Sequence, residues 1–307
     1  TLDVQKLVDG INSYTSVNLL ALNVVQSTAN IAIGELMQGI ESIAGEYVSK
    51  KSYTKGSVLY TKWLPSMLDD IGRRLPNSLG SLLIQQFNAM NEDQVGETEF
   101  ANKNKLKALS RRSALAFMQQ GGEHWLRGRF LFSMIDHEIR AISKDGKDLG
   151  SMIDFYYVKN GRLAIKDEVD LVKSKWTEED QQRWGRRFRG IADKVHGAYS
   201  LEARVAAQRY FVGKLAYMFR KFVVPGIRRR YGREAYSERL HQTIEGNYIT
   251  TFKFFKKMHK EILGMKLALL GEEWASLSPH QQANIRRTIA EVATVTSVMI
   301  LANFAYS

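Results

Sequence analysis

The chain has 307 residues, a net charge of +12 and a hydrophobic content of 44%. This composition excludes a wholly disordered or collagen-like chain, and the absence of cysteine excludes disulfides, thiol nucleophiles and cysteine-based metal centres. Only four prolines occur, and because proline interrupts helices, their scarcity favours long helices. The chain begins at Thr1 rather than Met, so we expect a piece of a longer polypeptide.

Residues 1–138 are predicted to form an N-terminal helical region. Small residues are frequent in residues 11–48, and apolar residues recur there at helical spacing, which predicts a closely packed helix pair. Pro65 and Pro76 are expected to bracket a short helix, and the acidic residues 91–99 to form a loop.

Strand signals are concentrated in residues 139–170. Asn160 and Gly161 separate two apolar runs, and Asn-Gly is a strong hairpin signal because both turn positions require a positive φ. Residues 144–147 contain a second tight-turn signal, Asp-Gly. We therefore predict a small β-hairpin insertion of two or three strands around residues 139–168.

Residues 171–307 are predicted to form a basic C-terminal helical region. Thr177 is the expected N-cap of one helix, and Asp180 completes a capping box. Ser278 and Pro279 predict the start of the last helix.

Between these two helix starts, further helices are expected. Residues 201–222 carry a regular apolar seam that should end at Pro225 and Gly226, and residues 234–270 are predicted to be helical. The expected fold class is therefore mainly α, an elongated helical bundle with one small β insertion.

Positive charge is concentrated in the third quarter of the chain. Residues 1–100 have a net charge of −4, whereas residues 101–307 have +16. The window 183–233 holds 14 basic residues and only two acidic ones. Such an excess indicates a negatively charged partner, whether a polyanion, an acidic protein surface or an anionic membrane.

The arginines of this window are the candidate binding residues. Arg183, Arg186 and Arg187 share one helix face because they are spaced by three and four residues. The planar guanidinium group suits phosphate, and interleaved aromatic residues can stack on bases. An alternative is that the arginines pair with carboxylates elsewhere in the chain or on another subunit. The candidate polyanion or partner contacts are Arg183, Arg186, Arg187, Arg189, Arg228, Arg229, Arg230 and Arg233.

Signals for catalysis and for metal binding are weak in this sequence. The six histidines form neither an HxxxH nor an HExxH pair, and the paired carboxylates fall mostly at predicted helix starts, where the helix dipole favours them. We expect no enzymatic activity, no catalytic residues, no metal and no cofactor.

Two stretches of the chain carry a family resemblance. The first comprises Leu22, Asn23, Gly34 and residues 41–47, and the second comprises residues 195–199, 213–226 and 228–231. Together they are similar to a large internal virion protein of crAss-like tailed bacteriophages, which is packaged as cargo and ejected into the host cell. The resemblance implies a virion protein in contact with capsid, portal or tail components and with packaged DNA, and we expect several copies or a homo-oligomer. After ejection it would lie in the host cytoplasm or periplasm.

Two alternative functions remain open. A nucleic-acid-binding accessory of a phage virion RNA polymerase should bind DNA with an affinity that falls steeply with salt. A membrane-active ejection protein would use the apolar stretches 11–45 and 291–306 and should cause liposome leakage. Membrane contact is not favoured, because both stretches contain polar residues and the apolar run 292–306 is too short to cross a bilayer.

Overall fold

A computed structural model describes residues 24–70, 76–90, 114–196, 223–238, 240, 242–263 and 267–306. Within these residues the chain is mainly helical with small antiparallel hairpins, as predicted. The elongated shape of the bundle and the division into 1–138, 139–170 and 171–307 stay predictions. The helices are α1 (Val24–Ala44), α2 (Lys50–Asp70), α3 (Leu79–Gln86), α4 (Ala114–Glu138), α5 (Glu178–His196), α6 (Val223–Tyr231), α7 (Asn247–Leu263), α8 (Leu267–Ser276) and α9 (Pro279–Tyr306).

The described strands form three separate antiparallel hairpins. The predicted turn is confirmed, because Asn160 has a φ of 52° and Gly161 a φ of 71°. The insertion contains four strands rather than two or three, since a short 3₁₀ helix, Met152–Phe155, separates two complete hairpins. The strands are β1 (Arg140–Ile142), β2 (Asp148–Ser151), β3 (Tyr156–Lys159), β4 (Arg162–Ile165), β5 (Ala235–Ser237) and β6 (Gln242–Ile244).

The centre of the core lies where α2 packs against α4. At Gly56 of α2, a Cβ atom would lie only 2.1 Å from the Ser133 hydroxyl of α4, so the two helices approach through their backbones. The ring of Tyr60 packs 5.0 Å from Trp125 and 6.0 Å from Phe132, measured between centroids. Glycine at the crossing thus allows the aromatic side chains on either side to interlock.

Helix α5 and the β insertion extend the same core. The rings of Trp184 and Phe188 stack 5.7 Å apart, and Phe87 meets Trp184 edge to face at 5.1 Å. Trp176 donates a hydrogen bond to the Tyr156 hydroxyl at 2.6 Å, which satisfies a polar group inside the core.

The predicted capping box at Thr177 and the predicted N-cap at Ser278 are both present. At the start of α5, the Asp180 backbone N–H donates to the Thr177 hydroxyl, and the Thr177 N–H donates to the Asp180 carboxylate. At the start of α9, Ser278 and Gln281 exchange the same pair of bonds. Each cap satisfies backbone donors that a helix start leaves free.

Two predictions based on proline are wrong. Pro65 lies inside α2 instead of beginning a helix, because the packing of α2 on α4 outweighs the one backbone hydrogen bond that proline cannot donate. Pro225 and Gly226 lie inside α6 rather than after a helix end.

The prediction of helix throughout residues 234–270 is also wrong, because β5 and β6 form a hairpin before α7 begins. Gly232 and Gly246 close its base, where the Gly246 N–H donates to the Gly232 carbonyl at 2.8 Å. A Cβ on Gly246 would lie 2.5 Å from the Arg230 carbonyl oxygen, so only glycine fits there. The predicted loop 91–99 and apolar seam 201–222 lie outside the described residues.

Candidate functional site

The four predicted arginines of α5 are mostly engaged within the chain. Arg183 forms an ion pair with Asp180, one turn earlier. Arg187 donates to the Glu138 carboxylate at 2.5 Å, and Arg189 donates to the backbone carbonyl of Phe87 at 3.1 Å. Arg186 is exposed and has no ion-pair partner among the described residues.

The four predicted arginines of α6 and its C-terminal end divide evenly. Arg229 and Arg230 both donate to Glu291 of α9, at 2.9 Å and 3.1 Å. Arg228 and Arg233 are exposed, and no described residue forms an ion pair with either.

The structure therefore engages half of the eight predicted arginines in ion pairs within the chain. Four are neutralised by carboxylates of the same molecule, which is the alternative left open by the sequence. The partners Glu138 and Glu291 lie 49 and 62 residues from Arg187 and Arg229, so local charge counting could not identify them. Arg186, Arg228 and Arg233 are the candidates that the described residues leave available.

A cluster of buried charges, not predicted from the sequence, joins α1 to α9. Arg287 of α9 is 4% exposed and holds the Glu41 carboxylate through two hydrogen bonds, at 2.9 Å and 2.7 Å. It also pairs with Glu46, and its guanidinium group lies 5.4 Å from the Tyr47 ring centroid. His280 contacts Glu46 from the other side at 2.8 Å. Bidentate pairing of this kind compensates for the desolvation of a buried guanidinium group.

The pKa values of this cluster reflect competition between burial and opposite charge. Burial raises the pKa of Glu46, but the hydrogen bond with His280 and the charge of Arg287 lower it to about 2. Burial lowers the pKa of Arg287, whereas Glu41 and Glu46 raise it above its ordinary value. Arg287 and Glu46 are therefore charged at neutral pH.

Lys194 of α5 is the weakly compensated charge in this cluster. Its ammonium group donates to the Tyr47 hydroxyl at 3.3 Å, and no described carboxylate forms an ion pair with it. Burial, followed by the positive charges of Arg287 and Arg229, lowers the pKa of Lys194 to about 8. Slightly above neutral pH, Lys194 is consequently neutral in a fraction of the molecules.

A small cavity lies at the centre of this charge cluster. Its internal volume of about 10 Å³ is enough for one water molecule, not for a metabolite. The buried Nε of Arg229 has no hydrogen-bond partner among the described residues. The cavity is lined by Met37, Ile40, Glu41, Lys194, Val195, Arg229, Arg287 and Glu291.

The cluster also connects the two stretches that carry the family resemblance. Glu41 and Glu46 belong to the first stretch, and Arg229 belongs to the second. Both stretches are tied to α9, the first through Arg287 and the second through Glu291. The arrangement is a structural joint between distant parts of the chain.

The second half of α9 presents an exposed apolar surface. Val298, Met299, Ile300 and Leu301 are 58%, 67%, 51% and 67% exposed, and Phe304 is 75% exposed. Four consecutive residues of a helix point in all directions, so the exposure surrounds the helix. No charged residue occurs after Glu291, and this run therefore offers a partner only apolar and neutral polar contacts.

No described helix has the combination of length and apolar character needed to cross a membrane. Within the described part of the chain, no group of three histidine or carboxylate side chains is placed to hold a metal ion. Comparison with family models, curated proteins and solved structures found no match to this chain.

Proposed function

We propose that this chain is a non-enzymatic virion protein of a tailed bacteriophage, packaged in the particle as cargo and ejected with the genome. The observation that carries the proposal is the second half of α9, which is apolar, uncharged and exposed around its circumference. Exposed apolar surface of this extent marks an interface. A particle packed with other protein copies supplies such partners, and the family resemblance points to the same setting.

The hydroxyl groups of this helix half favour burial against protein. Thr294 donates to the Ala290 carbonyl at 2.8 Å, and Ser297 donates to the Ala293 carbonyl at 2.8 Å. Because these two hydroxyl protons are satisfied within the helix, covering Thr294 and Ser297 with an apolar partner leaves neither donor unsatisfied. The partners that fit are other virion proteins or further copies of this chain.

The nucleic-acid alternative draws less support from the predicted arginines than the sequence suggested. Arg187, Arg229 and Arg230 already bind carboxylates of the same chain. A phosphate group would have to displace those carboxylates, and the one shared by Arg229 and Arg230, Glu291, is well buried.

The decisive experiment for location is mass spectrometry of purified particles of the phage that encodes this chain. Intact particles are treated with protease and nuclease before lysis, and we expect peptides of this chain to survive with the other internal proteins. Detection in infected cells but not in treated particles would contradict the proposal.

A paired substitution tests the role of the apolar helix half. Leu301→Lys places a charge on it, and Val58→Lys places the same charge on an isolated exposed apolar position of α2, 60% exposed. We expect Leu301→Lys to reduce incorporation into particles and Val58→Lys to leave it unchanged. If Leu301→Lys instead abolishes leakage of lipid vesicles while incorporation persists, the helix serves membrane activity and not assembly.

A further inference from the structure

A row of aromatic rings runs along the outer side of α7. Tyr248, Phe252, Phe255 and His259 follow at intervals of four, three and four residues, which places them on one side of the helix. Phe252 is 65% exposed, Phe255 is 46% exposed, and His259 is exposed. Tyr231 of α6, 57% exposed, extends the row with its ring 5.4 Å from that of Tyr248. We call these five residues the aromatic row.

The aromatic row is not the side by which α7 is attached to the molecule. The buried side of α7 lies about a quarter-turn around the helix from the row. It carries Thr251, which donates to the Thr288 hydroxyl of α9 at 2.9 Å, and Met258, which is 1% exposed. Helix α7 is thus fixed in place by that side, and the rings are held in a line at the surface. A fixed line of rings loses little conformational entropy when a ligand binds.

Positive charge flanks the aromatic row. Arg228 precedes Tyr231 by three residues, so both share one side of α6, and Arg228 is exposed. The guanidinium group of Arg230 lies 5.9 Å from the Tyr248 ring centroid but pairs with Glu291, so it supports the ring and does not itself offer a free charge. Lys256 is exposed on α7, one residue beyond Phe255. The surface therefore combines rings with cations.

We propose that the aromatic row is a stacking platform for single-stranded nucleic acid, bound without sequence preference. Every position in the row carries a ring, whereas a lipid surface or an apolar protein partner would be satisfied equally by aliphatic side chains. Bases stack on aromatic rings irrespective of sequence, and neighbouring cations hold the backbone phosphates. Successive rings are about 4.5–6 Å apart along the helix axis, so consecutive unpaired bases can reach them.

This inference does not depend on where the protein resides. It also differs from the arginine prediction, because most of the contacts are rings of α7 and only Arg228 and Arg230 are shared with the predicted set. In a duplex the bases are already stacked on one another, so the platform should prefer single strands.

Fluorescence anisotropy with a labelled oligothymidylate of about 20 nucleotides, longer than one such site, tests the platform at low salt. We expect the wild-type chain to bind it more tightly than a duplex of equal length. The double substitution Phe252→Ala with Phe255→Ala should weaken binding about tenfold or more. Tyr236→Ala, which removes a ring of β5 that is 63% exposed and lies outside the row, is the matched control and should bind as the wild type does.

The charge contribution is tested with two neighbouring lysines. Lys256 has no ion-pair partner among the described residues, whereas Lys257 pairs with Glu273 at 2.6 Å. Lys256→Gln should reduce the slope of log affinity against log salt by about 0.7. Lys257→Gln should leave that slope close to the wild-type value.

Three results would overturn the inference. They are no binding of the oligonucleotide at low salt, equal affinity for single strand and duplex, and unchanged affinity in the double variant. Vesicles of phosphatidylglycerol provide the competing test. If they bind the wild type but not the double variant, and the oligonucleotide binds neither, the row contacts membranes instead. All substituted side chains are exposed, so circular dichroism should show an unchanged fold.

Discussion

Helix α4 and the second half of α9 are both rich in apolar residues, yet those of α4 are buried and those of α9 are exposed. In α4, the side chains of Phe130, Leu131 and Phe132 are completely buried. In α9, Met299 and Leu301 are each 67% exposed. The difference teaches that an apolar helix predicts a covered surface but does not say which molecule covers it.

The elements that bury α4 belong to the same chain. Helix α2 crosses it at Gly56, and α1, α5 and the β insertion pack around it. The first half of α9 is likewise covered, by α7 and α1, and it carries Arg287 into the buried charge cluster. Beyond Glu291, by contrast, most of the described apolar side chains of α9 are more than half exposed.

The largest expected effect comes from making the same truncation in both regions. Phe132→Ala should lower the free energy of unfolding by about 3–5 kcal/mol, because it opens a cavity in the core. Phe304→Ala should change it by less than about 0.5 kcal/mol. Urea denaturation of the two variants measures both. Equal losses would show that the end of α9 is covered in the free chain.

A second prediction compares a buried ion pair in the first half of α9 with an exposed ion pair on α5. Arg287→Leu leaves Glu41 and Glu46 buried without their cation and should lower the free energy of unfolding by about 3 kcal/mol. Arg183→Leu removes the ion pair with Asp180, in which the arginine side chain is 57% exposed. This variant should lower the free energy of unfolding by less than about 1 kcal/mol. A loss below about 1 kcal/mol for Arg287→Leu, again measured in urea, would mean that the cluster does not hold α9 to α1.

A third prediction concerns pH and has the smallest effect. The pKa of Lys194 is about 8 in the folded chain and 10.5 ordinarily, so the unfolded chain binds more protons between those values. The contribution of Lys194 to stability therefore rises as pH increases from 8 to 10.5 and is least favourable below 8. Lys194→Met should stabilise the chain by about 2 kcal/mol at pH 7.

The Lys194→Met difference should shrink towards pH 10.5. Comparing the variant with the wild type at each pH removes the contributions of the tyrosines. Thermal unfolding between pH 7 and pH 10 measures the stability difference between the variant and the wild type. The pKa values predict that this difference changes above pH 8. A variant that is less stable than the wild type at pH 7 would show that Tyr47 and the nearby carboxylates compensate Lys194 fully.

Local sequence signals predicted local structure well. The capping box at Thr177, the N-cap at Ser278 and the turn at Asn160 are present, because each depends on residues within four positions of one another. The β5–β6 hairpin was missed, although Gly232 and Gly246 supplied a signal for it. The prediction that Pro65 begins a helix is wrong, because helix packing can outweigh the backbone hydrogen bond that a proline inside a helix cannot donate.

The candidate site could be predicted only in part. The arginines were identified by charge density, but the carboxylates that neutralise Arg187 and Arg229 lie far away in the chain. The aromatic row has a visible spacing in the sequence. Nothing in that spacing distinguishes a buried stripe from an exposed one, since core helices show the same period.

The sequence by itself determined the helical class, the helix starts, the hairpin turn and the excess of positive charge, because these follow from neighbouring residues and from composition. Tertiary structure alone decided which charges are neutralised, which of two apolar helices is covered and which side of α7 faces outward. These depend on contacts between residues tens to hundreds of positions apart, such as Glu41 with Arg287. Burial is therefore a property of the packed chain and not of any single segment.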